Sequence, residues 1–137
     1  MPGYIHAELT RLIIGAFFDL YNELGHGFNE RVYRNALAVL LRERGTSVVV
    51  EQPVVVNFHG VRVGTFCVDL VVNGKVLVEV KASRQLEPRD EAQILNYLKA
   101  AGGGIGLLVN FGPQITHRRF AMGDPMANLP NLGRTTE

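Results

Sequence analysis

Asp69-Leu-Val-Val-Asn-Gly-Lys-Val-Leu-Val-Glu-Val-Lys81 is the stretch that decides how this chain folds. Two apolar runs flank Asn73-Gly74, the dipeptide with the strongest preference for a tight hairpin turn, so the segment predicts two antiparallel strands. Asp69 stands on the first strand, Glu79 and Lys81 on the second. Charge inside a sheet is costly unless it is paired or bound to metal. Two acids and an ammonium set among valines therefore need a purpose. Carboxylates holding a divalent cation, with a lysine beside them, are the equipment for hydrolysing a phosphodiester.

The register of this hairpin decides whether such a site exists. A two-residue turn places Val72 opposite Lys75 and Asp69 opposite Val78, so that Asp69 and Glu79 emerge on opposite faces. A slip of one residue pairs Val72 with Val76, Leu70 with Val78 and Val68 with Val80, which makes one uniformly apolar face. The other face then carries Asp69 across from Glu79 and Cys67 across from Lys81. A one-residue slip flips every side chain of a strand, so the apolar pattern predicts the second register, with a three-residue loop or a bulge at the turn. The two carboxylates would then have Cβ atoms about 4.5–5.5 Å apart.

Working outward, residues 7–23 carry a helical apolar stripe (Leu9, Leu12, Ile13, Ala16, Phe17, Leu20) that Gly25-His26-Gly27 interrupts. A second helix is expected over 29–44, with Val32, Tyr33, Ala36, Leu37, Leu40 and Leu41 inward and Gly45 as its stop. Residues 48–57 read as an edge strand broken at Pro53, and His59-Gly60 turns it into a strand over 61–72. After the strand over 76–82, Pro88 opens a helix over 89–101 that Gly102-Gly103-Gly104 ends. Strands over 105–111 and 114–122 follow. The fold class is therefore α/β (α+β), a mixed central sheet flanked by helices in the order α-α-β-β-β-α-β-(β). One domain spans 1–122, and 123–137 is expected to be a loosely held tail.

Composition narrows the options. At 137 residues the chain has room for one core of its own. Fourteen Lys and Arg against 13 Asp and Glu leave a formal charge of +1, so a polyanion partner would need positive charge concentrated locally. The single cysteine, expected to be a buried structural thiol, excludes an intrachain disulfide and fits a reducing cytoplasm. No apolar run reaches membrane-span length, so no membrane partner is expected. The four histidines show no zinc-ligand spacing. Arg84, Arg89, Arg118 and Arg119 belong either to a phosphate-contacting surface or to a merely solvated one. Glu51 reaches the site if its strand is central and is an edge charge otherwise.

Two further motifs lie outside the hairpin. Gln93 and Tyr97 stand at i and i+4 on one helix face, and Glu30 sits near the start of a helix otherwise patterned for burial. An acid on an early helix, Asp on a strand, Glu-x-Lys on its hairpin partner and Gln-x3-Tyr on the next helix together resemble the PD-(D/E)XK nuclease superfamily. Gly27, Glu30 and Tyr33, with the stretches 91–100 and 106–112, are similar to its GxxExxY branch. Val68 stands where the superfamily name has Pro.

The resemblance implies a restriction-endonuclease-like fold and metal-dependent cleavage of nucleic acid, DNA or RNA. It implies that Asp69, Glu79, Glu30 and the carbonyl of Val80 hold one or two Mg2+ or Mn2+ ions. Lys81 would activate water or stabilise developing charge, and Gln93 would orient Lys81 or a phosphate. Tyr97 would pack behind the site or touch substrate, and Tyr33 would also contact substrate. A domain this small has little surface for gripping a duplex, so a homodimer or larger partner is expected. Two other readings stay open: a cross-strand salt bridge on a solvated sheet face, and a catalytically silent module that binds nucleic acid or protein.

Overall fold

Asn73 and Gly74 make the turn on which the fold pivots. Both have positive φ, 54° and 64°, as a primed hairpin turn requires, and the Lys75 N–H donates to the Val72 carbonyl at 3.0 Å. Lys75 is nevertheless left over, because the strands pair as Val72↔Val76, Val71↔Leu77 and Leu70↔Val78. The slipped register is the one adopted. Asn73 also accepts from the Ser47 N–H at 2.8 Å through its side chain, tying the turn to the chain that enters the first strand.

Residues 6–123 are described by a computed structural model of the chain. Helices α1 (Ala7–Leu24) and α2 (Glu30–Glu43) precede strands β1 (Val48–Phe58), β2 (Val61–Val72) and β3 (Val76–Lys81). Helix α3 (Pro88–Ala101) then leads to β4 (Gly103–Phe111) and β5 (Ile115–Gly123). The five strands lie in the order β1-β2-β3-β4-β5, with β3 and β4 parallel and the other pairs antiparallel. The element order α-α-β-β-β-α-β-β and the mixed sheet flanked by helices are those expected from the sequence.

Two apolar layers sandwich the sheet. Ile13, Phe17, Leu37 and Leu41 of α1 and α2 pack on Leu70, Val78 and Val80 from one side. Ile94, Leu98 and Ala101 of α3 pack on Val71, Leu77 and Leu108 from the other. β4 is buried at every one of its nine positions, as a strand covered on both faces must be. Gly106 lets α3 approach closely: a Cβ there would meet Ile94 at 3.0 Å. Helix α3 starts with Pro at its first turn and a reciprocal capping box between Glu87 and Asp90. Gly102, in left-handed conformation, ends it.

Several expectations need correction. Val68 lies in the layer beneath α3, whereas Leu70 and Val72 lie in the α1/α2 layer, so β2 does not present one uniform apolar face. The cause is local twist. Glu51, between the pairs Val50↔Leu70 and Gln52↔Val68, has φ 57°, and past that point both strands of the hairpin show the other face to the core. Cys67 is exposed rather than buried for the same reason. Val32 is also exposed, because it lies on the flank of α2 away from the sheet. β4 starts at Gly103, two residues before its expected start, and its partner Gly123 carries β5 one residue past its expected end. The rest of the expected tail, 124–137, lies outside the described residues.

Candidate active site

The ladder between β2 and β3 stops at Leu70↔Val78, while β2 continues along β1 and β3 continues along β4 as far as Lys81↔Asn110. Strands that part leave amides without carbonyl partners, and those amides must be satisfied another way. Here carboxylates do it. The Asp69 N–H donates to Glu79 Oε1 at 2.9 Å, and the Val80 N–H donates to Asp69 Oδ2 at 2.8 Å. The two acids therefore face each other across the gap, as the register argument expected, but they bridge the strands themselves instead of standing above a continuous ladder. Asp69 Oδ1 and Glu79 Oε2 make no hydrogen bond within the described residues and remain reachable by solvent.

This placement suppresses the acidity of both groups. Burial pushes the Glu79 carboxyl up to about 8, with the Asp69 charge adding to the effect and the Asp69 amide opposing it. Asp69 is raised chiefly by burial, then by Glu30, against the Val80 amide, Arg34 and Lys81. A pair of buried carboxylates shifted in this way is met either by a retained proton or by a cation.

Lys81 projects toward α3 on the same side. Its Nζ donates to Gln93 Oε1 at 3.1 Å and lies 3.8 Å from Asp90 Oδ1. The Tyr97 pKa is pushed up to about 12 by burial and the nearby carboxylates of Glu79 and Asp69, with Gln93 opposing the rise. Tyr97 is 8% exposed and packs behind the site, near Phe66. Glu30, exposed at the head of α2, lines a cleft of about 660 Å3 with Lys81, Asp90 and Gln93. Its charge acts on both buried acids, yet among the described residues no three His, Cys, Asp or Glu side chains are gathered tightly enough to cage a metal. The donors that do converge, two carboxylates beside the Val80 backbone, are the oxygen-rich, partly water-completed set that suits Mg2+.

Tyr33 must be withdrawn as a substrate contact. It is fully buried, stacked on Phe111 with ring centroids 4.3 Å apart. Its hydroxyl donates to the Gly25 carbonyl and accepts from the Phe28 N–H. It thus holds the glycine loop that sets Glu30 at the head of α2. Glu51 lies on the edge strand, paired with Arg34 at 3.0 Å. Of the arginines considered, Arg84 and Arg89 line the cleft, while Arg118 is on β5 and paired with Glu91.

Three supporting residues escaped the sequence reading. Asp90 couples the cap of α3 to Lys81. Asn110, fully buried, accepts from the Ser83 N–H at 2.9 Å and donates to the Ser83 carbonyl at 3.0 Å, clamping the chain just beyond Lys81. A Cβ on Gly112 would collide with that same Ser83 carbonyl. A lone Asn inside the apolar run 105–111 was the available signal.

A model of the PD-(D/E)XK nuclease superfamily matches residues 7–120. The chain belongs to this superfamily, whose members typically bind divalent metal ions. No curated protein matches it. One solved structure, described as "Crystal structure of SSO0001", is similar with a TM-score of 0.45 at 19% identity, over 85% of this chain and 58% of that one. The chain thus spans less than two thirds of that protein's length. Among the described residues no helix is long and apolar enough to cross a membrane.

Proposed function

We propose that this chain is a Mg2+- or Mn2+-dependent nuclease that hydrolyses phosphodiester bonds of nucleic acid. The observation that carries the reading is the buried Asp69–Glu79 pair at the parting of β2 and β3, with Lys81 held by Gln93 on the same side. Asp69, Glu79 and the Val80 carbonyl would hold the ion, and Glu30 would act on it through water. When bound, the ion supplies Lewis-acid polarisation of the phosphate and a more acidic water. Lys81 places an ammonium beside the scissile phosphate, where it opposes the charge that develops during displacement. Gln93 accepts a hydrogen bond from the Lys81 ammonium and so fixes its direction, and Asp90 keeps a counter-charge close behind. Under this reading the chain would be a member of the GxxExxY branch, which Gly27, Glu30 and Tyr33 support. A cytoplasmic setting accords with the lone free thiol of Cys67, and a homodimer would enlarge the gripping surface of so small a domain.

The test has two arms. Calorimetric titration should show Mg2+ or Mn2+ binding that Asp69→Ala abolishes. Incubation with single-stranded DNA, duplex DNA and RNA should show metal-dependent cutting of at least one, lost in Lys81→Ala. Intact metal binding with no cleavage of any of the three would refute the enzymatic part.

A further inference from the structure

The cleft beside Lys81 does not end at α3. It shares Arg89 and Gln93 with a second depression of about 340 Å3, which in turn shares Phe66 and Asn96 with a third of about 510 Å3. Through these shared residues the three depressions adjoin in series along α3, a groove from the site toward the β1–β2 hairpin. Arg89, Gln93, Asn96 and Lys99 recur every three or four residues, one stripe of the helix, and extend about 15 Å along its axis.

The lining of this groove is selective. Of the chain's 13 acids, three (Glu30, Glu87, Asp90) line the cleft at the site, and none lines the other two depressions. Those two carry Arg89 and Lys99, the side-chain amides of Asn57, Gln93 and Asn96, and two aromatics, Phe66 and Tyr97. Tyr97 is buried, whereas Phe66, on the more exposed outer part of β2, is 39% exposed, with its ring 5.1 Å from that of Tyr97. Arg89, which also pairs with Glu87 at 3.3 Å, and Lys99 are cations spaced along the two outer depressions, where no acid lines the walls, and they suit a phosphate backbone in a chain that is nearly neutral overall. A half-exposed ring at the groove's centre suits a base whose flat face is free. Bases in a duplex do not offer that face, whereas those of a single strand do.

We propose that the α3 groove binds a single-stranded segment of nucleic acid, one base stacked on Phe66 and its backbone passing Lys99 and Arg89 toward the cleft of Asp69 and Glu79. This deepens the nuclease reading by naming its substrate form, and it rests on that reading only for what happens at the cleft.

The experiment is fluorescence anisotropy of a short labelled oligothymidylate, and of a duplex of equal length, with the full chain in chelator, where no cleavage can intervene. The single strand should bind more tightly than the duplex. Phe66→Leu, which keeps apolar bulk and removes the π face, should weaken it about 5- to 150-fold, the range of one lost base–aromatic stack. Phe66→Tyr should keep most of the affinity. Lys99→Gln should lower the slope of log affinity against log salt by about 0.7. The proposal is overturned if Phe66→Leu binds like the parent, if the duplex binds equally well, or if oligothymidylate fails to bind while the metal titration succeeds. It is also overturned if the Phe66 variants change only the sedimenting mass, which would assign the groove to a second copy of the chain. Expected binding with no metal-dependent cutting would instead sink the nuclease reading and leave the groove standing.

Discussion

Glu79→Gln should make the metal-free protein more stable at neutral pH. Gln keeps an oxygen to accept from the Asp69 amide but cannot ionise. In the folded protein the Glu79 carboxyl sits at about 8, against 4.5 for a free side chain. A raised folded-state pKa means that the native protein keeps a proton which the unfolded chain releases, so stability falls as pH rises through this window. The contribution is whole below about 4.5, declines by about 1.4 kcal/mol per pH unit, and levels off above about 8. By pH 7 the wild type has lost on the order of 3 kcal/mol to this group, and Glu79 is 5% exposed, so solvent screens little of it. Asp69, also raised, acts in the same direction. His6, held below its usual value, acts oppositely below about pH 6.5 and is common to both proteins, so their difference isolates the acid pair. Urea unfolding in chelator from pH 5 to 8.5 is the assay. At pH 7 the variant's midpoint should exceed the wild type's by about 1–3 M, and at pH 5 the two should nearly coincide. Calorimetry should show that the variant no longer takes up Mg2+. A wild-type stability that is flat or rising between pH 5 and 8, or a variant no more stable at pH 7, would refute the argument that this carboxylate is buried without a counter-charge.

Other outcomes follow from the supporting residues. Asn110→Ala leaves both backbone groups of Ser83 without their partner and should cost about 2 kcal/mol, with cleavage reduced further because Lys81 lies two residues upstream. Gly112→Ala should cost about 1–3 kcal/mol by pressing on the Ser83 carbonyl. Because both act on Ser83, the double variant should fall short of the sum, and strict additivity in urea unfolding would show the clamp to be two independent contacts. Tyr33→Phe should lose about 1–3 kcal/mol with the bonds to Gly25 and Phe28 while Mg2+ uptake measured by calorimetry stays unchanged. A large loss of metal binding there would restore Tyr33 to the site.

The apolar pattern, punctuated by turn residues such as Asn73-Gly74, Pro88 and Gly102, determined the element order, and the apolar pattern itself the slipped hairpin register. Each depends on which side chains avoid water, and that is written in the spacing of Val72, Val76, Leu70 and Val78. It also brought Asp69 and Glu79 together, and set Gln93 and Tyr97 on one helix face. Tertiary structure decided the rest. Tyr33 and Tyr97 look alike in sequence, but only the packed chain shows that one is sealed beneath Phe111 and the other lies behind Lys81. Periodicity gives the face of a strand only while the strand keeps its twist, and at Glu51 the β1–β2 hairpin turns over, reversing Val68 and Cys67. The separation of β2 from β3, the clamp on Ser83 and the groove along α3 arise between segments far apart in the chain. No local rule of spacing reaches such distances, because burial and hydrogen bonding there depend on which elements meet.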